Sequence, residues 1–70
     1  MLFEQFVQYV YGFYGKGGLW DMGVTREMIF KGIELVVAEF GADQFEGDSV
    51  DRERVRDAMI DEFGLTWPSN

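Results

Sequence analysis

A glycine-rich stretch near the start of the chain carries residue types that could bind a phosphate group. The stretch YGKGGLWDMGVT, at positions 14–25, combines four glycines with Lys16 and precedes a helical pattern. A phosphate-binding loop follows a strand and has its glycines, lysine and hydroxyl at fixed spacing, which this stretch lacks. We therefore expect a sharp turn that packs Trp20 back onto the helices, with Trp20 as an anchor for a partner protein as the alternative.

An acidic stretch in the second half of the chain could, by composition, bind calcium. With Gly47 as the sixth residue of a calcium loop, Glu53 becomes the twelfth, as such a loop requires. Ala42 and Gln44 then occupy ligand positions that need carboxylates. Helix capping accounts for the acidic residues here, so we expect no metal site and no cofactor.

Residue types for nucleophilic catalysis are scarce in this chain. It has no histidine and no cysteine, and most of its carboxylates fall on predicted solvent-facing helix surfaces. A nucleophile paired with a base therefore cannot be assembled from the residues that usually supply one. We expect that the protein is not an enzyme.

The charge of the chain argues against binding to nucleic acid or to an anionic membrane. Thirteen acidic and six basic residues give a net charge of −7. Binding to nucleic acid or to an anionic membrane instead requires clustered Lys and Arg side chains. Arg52, Arg54 and Arg56 alternate with acidic residues that cancel their field. The sequence shows neither an apolar run of about 20 residues nor a signal peptide, so we expect a cytoplasmic protein.

Three segments place apolar residues at the spacing of amphipathic helices. Segment 2–14 does so with Phe3, Phe6, Val7, Val10 and Phe13. Segment 25–40 does so with Ile29, Phe30, Ile33, Val36, Val37 and Phe40. Segment 49–63 does so with Val55, Met59 and Phe63. We expect these three stripes to form one core.

Residues typical of helix ends support these boundaries. Thr25 is suited to cap the second helix, and either Asp48 or Ser49 the third. Gly41 and Gly64 are suited to end those helices, and Pro68 excludes further helix in the tail. The sequence therefore predicts one all-α domain, residues 1–70: a small three-helix bundle with glycine-rich connections and a short extended C-terminal tail.

The central helix carries more apolar surface than a core needs. Met28 and Leu35 lie seven positions apart, away from the main stripe, and Gly32 lies between them. A small residue in an apolar strip permits close approach of another element, and methionine adapts to varied partners. We expect a partner-binding surface made of Met28, Gly32 and Leu35 with Trp20 and Tyr11, unless a tryptophan covers the strip within the monomer.

The segments FEQFVQYVYGFYGKGGLWDMGVT and GDSVDRERVRDAMIDEFG resemble small uncharacterised proteins of tailed phages that infect marine cyanobacteria. The resemblance covers most of the chain and includes no catalytic motif. It implies a phage protein that acts in the host cytoplasm by binding a host protein. No functional residue is carried over from it.

These inferences together favour a non-enzymatic protein-binding or regulatory module, with a host factor or a second copy as partner, and a homo-oligomer. One alternative is an acidic mimic of nucleic acid that blocks a host DNA-binding protein. Its outer carboxylates would be Asp48, Asp51, Asp57, Asp61 and Glu62. Another alternative is a minor structural component of the virion.

Overall fold

Three α-helices connected by short loops make up the fold. The structure, a computed structural model, describes residues 3–67; the predicted helix start at residue 2 and the tail proline Pro68 lie outside this range. Helix α1 spans Phe3–Tyr14, α2 spans Arg26–Phe40 and α3 spans Ser49–Phe63, with a short 3-10 helix at Ala42–Gln44 between α2 and α3. The described part of the chain contains no strand. The predicted all-α three-helix bundle is therefore confirmed.

The helices begin and end at the residues that the sequence favours. The Thr25 hydroxyl accepts a hydrogen bond from the Met28 amide at 3.2 Å, and the Asp48 carboxylate accepts one from the Asp51 amide at 3.1 Å. Each bond satisfies an amide that a helix leaves free at its N-terminus. Gly64 ends α3 with a φ of 66°, a conformation that favours glycine. Asp48, rather than Ser49, is thus the cap of α3.

A single cluster of apolar side chains lies between the three helices. Its buried members are Phe6, Val7, Val10, Tyr14, Val24, Ile29, Ile33, Val36, Val55 and Met59. The largest of the helix interfaces is the one between α2 and α3. The core therefore fixes these two helices against each other, and α1 covers one side of the pair.

Four phenylalanines of the predicted stripes are exposed, contrary to the sequence-based expectation that they lie in the core. Phe3 is 51% exposed, and Phe30, Phe40 and Phe63 are each 40% exposed. Phe3, Phe40 and Phe63 are the first or last residues of their helices, where the neighbouring helix no longer covers them. Phe30 is covered only in part, by the ring of Phe3 stacked on it at 5.4 Å.

The glycine-rich connection between α1 and α2 is a compact turn held by hydrogen bonds. The exposed carboxylate of Asp21 accepts bonds from the amides of Gly17 at 2.9 Å and Gly23 at 2.8 Å. These bonds, that from Gly17 first, lower the pKa of Asp21 below its ordinary value. The Trp20 amide bonds the Phe13 carbonyl at 2.8 Å, which directs the tryptophan back toward α1. The predicted sharp turn is therefore confirmed.

Candidate partner-binding site

The apolar strip predicted on α2 is not a continuous bare surface, because Gly32 faces α3 of the same chain. Gly32 is buried, and a β-carbon placed on it would lie 2.9 Å from both Met59 Cγ and Val55 Cγ1. The close approach that a glycine permits is thus used within the monomer. The expectation that Gly32 belongs to a partner-binding surface is wrong for this reason.

Met28 and Leu35, the other two members of the strip, are half-buried. The Met28 sulfur accepts a weak hydrogen bond from the Thr25 amide at 3.5 Å, so this side chain turns back over the start of α2. Met28 also packs against the edge of the core. Each residue leaves part of its surface open, and with Gly32 buried between them they do not make one patch.

Trp20 and Tyr11 lie near the loop rather than on the α2 strip. The Trp20 ring packs on Phe13 at 5.4 Å and on Tyr14 at 6.2 Å between ring centres, and it is half-buried. The Tyr11 ring lies against Gly15, and the guanidinium of Arg26 lies 5.6 Å from its centre. Trp20 thus acts within the monomer as a lid on the end of α1.

A groove between α2 and α3 is a better candidate for a binding site. It has a volume of about 340 Å³ and is lined by Val36, Glu39, Phe40, Arg54, Asp57, Ala58 and Asp61. Val36, Phe40 and Ala58 supply its apolar part, and the four charged side chains supply its polar part. The groove is not among the sites expected from the sequence. The only sequence signal was the pairing of Asp57 with Asp61, which stand one helical turn apart.

An arginine lies over the exposed aromatic ring of this groove. The Arg54 guanidinium carbon lies 4.0 Å from the centre of the Phe40 ring, within the range of a cation–π interaction. Arg54 also approaches the carboxylate of Asp51 at 3.7 Å. The Arg54 side chain is 36% exposed, so it is held from two sides yet remains accessible from the groove.

The groove carries an excess of negative charge. Three carboxylates against one guanidinium among the lining residues, −3 + 1, leave two negative charges in excess, and Arg56, which pairs with Asp57 at 3.0 Å, offsets one of them. The Arg56 side chain of this pair is only 15% exposed, whereas Asp57 is 58% exposed and stays accessible to a partner. The arrangement presents an apolar floor with acidic groups along its edges.

All four arginines of the sequence lie over aromatic rings of the same chain. Arg52 lies 4.1 Å from the centre of Phe13, and Arg56 lies 4.4 Å from that of Trp67. Arg26 and Arg54 lie over Tyr11 and Phe40, as described above. The guanidinium groups that a nucleic acid would need are therefore engaged within the chain.

The buried position of Asp51 corrects the predicted array of outer carboxylates. Asp51 is 2% exposed, and one of its oxygens accepts hydrogen bonds from the amides of Glu46 at 2.6 Å and Gly47 at 2.8 Å. Its role is to hold the connection between α2 and α3 against the start of α3. Asp48 is engaged as a helix cap, so two of the five carboxylates assigned to a nucleic-acid mimic have structural roles.

A second, more open cavity of about 440 Å³ lies beside the start of α2. Its lining includes Tyr11, Lys16, Thr25, Arg26 and Glu27. Two cations and a helix N-terminus favour the binding of an anion here. The negative charge of Glu27 opposes such binding, and the Met28 amide at the helix N-terminus already donates its hydrogen bond to the Thr25 hydroxyl. The lining of the cavity therefore does not form a defined anion-binding site.

The described residues hold no group of three or more carboxylate, imidazole or thiol side chains arranged to bind a metal ion. Within residues 3–67, none of the helices combines the length and apolar character needed to cross a lipid bilayer. Comparisons of the chain with protein-family models, with curated proteins and with solved structures find no match in any of the three.

Proposed function

We propose that this chain is a protein-binding module without catalytic activity and that its partner docks in the groove between α2 and α3. The observation that carries the proposal is the position of Phe40: an aromatic ring that is 40% exposed lies in a concave site with an apolar floor. Aromatic side chains, phenylalanine included, are enriched at the centre of protein interfaces, and concave sites lined by apolar and aromatic side chains are common binding sites.

The size of the groove favours side chains of a protein over a small-molecule ligand. Its volume of about 340 Å³ is at the lower end of ligand pockets, which range over roughly 300–1,000 Å³. It is also open to solvent along its length between the two helices, so it would enclose only part of a free small molecule. The resemblance of the sequence to small phage proteins extends this proposal: the partner is a host protein, and the module acts as a regulator in the host cytoplasm.

Substitution of Phe40 tests this function. The wild-type chain, Phe40→Ala and the control Phe63→Ala are immobilised, and proteins retained from an extract of the cells that express the gene are quantified by mass spectrometry. Phe63 is a matched control because it also ends a helix and is equally exposed, yet does not line the groove. We expect a protein that wild type and Phe63→Ala retain and Phe40→Ala loses, with direct titration of that purified protein showing the same order. Equal retention by all three proteins contradicts the proposal.

We also propose self-association through the stacked rings of Phe3 and Phe30. Both rings are at least 40% exposed, and they form one apolar patch from two helices. In a two-fold dimer such a patch packs on its own copy. Sedimentation of wild type, Phe30→Gln and the control Ala38→Gln, which is exposed on the same helix, tests this. We expect dissociation of Phe30→Gln alone, whereas a wild-type monomer at all concentrations contradicts self-association.

A further inference from the structure

We propose that the partner segment that enters the α2–α3 groove is positively charged: a helix with lysine or arginine beside apolar residues. This inference rests on the proposed function, since it names the chemistry of the partner for the same groove. The occupant is identified from the charge of the groove, from the position of that charge on the helices and from the contact that Arg54 makes with Phe40.

The first argument is charge complementarity. The three carboxylates of the groove still outnumber the nearby guanidinium groups when Arg56, the ion-pair partner of Asp57, is counted with Arg54. The whole chain carries a net charge of −7. A cationic segment is attracted to such a surface, and the apolar residues beside its charges meet Val36 and Ala58. An acidic segment would instead meet repulsion from three carboxylates, which costs affinity and excludes the wrong partner.

The second argument is that two of these carboxylates stand where the helices themselves disfavour them. Glu39 lies in the last turn of α2 and Asp61 in the last turn of α3, and neither last turn contains a basic residue. The C-terminal end of a helix dipole is negative and favours cations. A partner cation beside these residues would therefore interact favourably with both the carboxylates and the helix ends.

The third argument is that the chain already places a guanidinium on the groove's aromatic ring. Arg54 lies over Phe40 at 4.0 Å, which shows that the ring accepts a cation in this geometry. A lysine or arginine of the partner can pair with Asp61, and it can replace Arg56 as the partner of Asp57, one turn earlier on α3. Arg54 competes with the partner for the groove, so its removal should strengthen binding.

Titration with synthetic helices tests the inference. The probes are a fluorescently labelled amphipathic peptide of leucine and lysine, and the same peptide with glutamate in place of lysine. Binding of each peptide to the protein is measured by fluorescence anisotropy at physiological salt. We expect binding of the lysine peptide alone. Asp57→Asn with Asp61→Asn, and separately Phe40→Ala, should weaken it about tenfold, while Arg54→Gln should strengthen it.

Matched charge variants separate the groove from general attraction to an acidic protein. Glu4→Gln with Glu27→Gln removes two exposed carboxylates outside the groove, and Lys31→Gln removes one exposed cation outside it. Neither control should change the affinity by more than about twofold, because exposed charges beyond the site are screened by salt. Thermal melts of every variant confirm that it is folded under the assay conditions.

Three results overturn the inference. They are equal binding of the lysine and glutamate peptides, equal weakening by Glu4→Gln with Glu27→Gln, and full displacement of the lysine peptide by spermine at equal charge concentration, which would assign the groove to a small polyamine. If the lysine peptide fails to bind but a non-basic protein is captured in a Phe40-dependent manner, the proposed function stands and this inference falls. If no Phe40-dependent capture occurs either, both fall.

Discussion

Replacement of Gly32 by alanine tests the contact that brings α2 and α3 together. Alanine in place of glycine inside a helix stabilises that helix by about 1 kcal/mol. At Gly32 the new β-carbon would lie 2.9 Å from Met59 Cγ and from Val55 Cγ1, and 3.3 Å from the Val55 carbonyl oxygen. Val55 is β-branched and cannot easily turn away, so the helices must separate, at a cost of about 2 kcal/mol within the range known for overpacked cores. We expect a net loss of about 1 kcal/mol.

Gly12 provides the control for this substitution. It lies in α1, it is exposed, and a β-carbon placed on it meets no atom within 4 Å. Gly12→Ala should therefore stabilise the protein by about 1 kcal/mol, and the two variants should differ by about 2 kcal/mol. For a domain of this size that difference separates their Tm values by roughly 8–16 °C in a circular-dichroism melt. Equal stabilisation by the two substitutions would refute the packing of α3 on Gly32.

Three further substitutions test other parts of the structure. Asp51→Ala leaves the buried amide of Gly47 without a partner and should cost about 2 kcal/mol in urea unfolding; an unchanged midpoint contradicts the assigned role. The buried Tyr14 hydroxyl has no hydrogen-bond partner within residues 3–67, so Tyr14→Phe should be neutral or stabilising, and a large loss would contradict this. Asp21→Asn should lower Tm at pH 7, because the lowered pKa of Asp21 means that its ionised form stabilises the fold. That stabilisation is complete above the ordinary pKa of 3.8 and is lost as the pH falls through the lower folded value, so the difference in Tm should disappear in acid; a constant difference contradicts it.

The helices could be predicted because their signals are local. Periodic apolar residues and nearby caps identify them, and the Thr25 hydroxyl and the Asp48 carboxylate bond amides only three positions away. Gly41 and Gly64 end their helices for the same reason, since their positive φ values belong to a single residue. Observed bounds therefore agree closely with those expected from the sequence.

Whether an individual side chain is buried or exposed depends on which helix lies beside it, and the neighbouring residues in the sequence do not determine this. Phe40 was expected to be buried and is partly exposed, whereas Gly32 was expected to be exposed and is buried. Helical periodicity placed Phe40 in the core, but at the end of α2 it has too little of α3 above it and is partly exposed. Gly32 was expected to face a partner, but α3 packs on that side of α2.

The groove and the buried Asp51 both arise from tertiary contacts between segments that are separate in the sequence. The groove combines residues 36–40 with residues 54–61. The spacing of Asp57 and Asp61 places them on one face of α3, but nothing in either segment indicates that the two segments meet. Asp51 has the sequence context of a solvated first-turn carboxylate. Its burial follows from the path of the preceding loop, which presents the amides of Glu46 and Gly47 to it.

An NMR titration of the labelled protein with the leucine–lysine helix tests the central claim most directly. If the groove between α2 and α3 docks a basic protein segment, the amide shifts that change should cluster at Val36, Phe40, Ala58 and Asp61. The amide of Leu19, in the glycine-rich turn and outside the groove lining, should stay unchanged. Shift changes spread evenly over all acidic surfaces, or centred on that turn, would contradict the account.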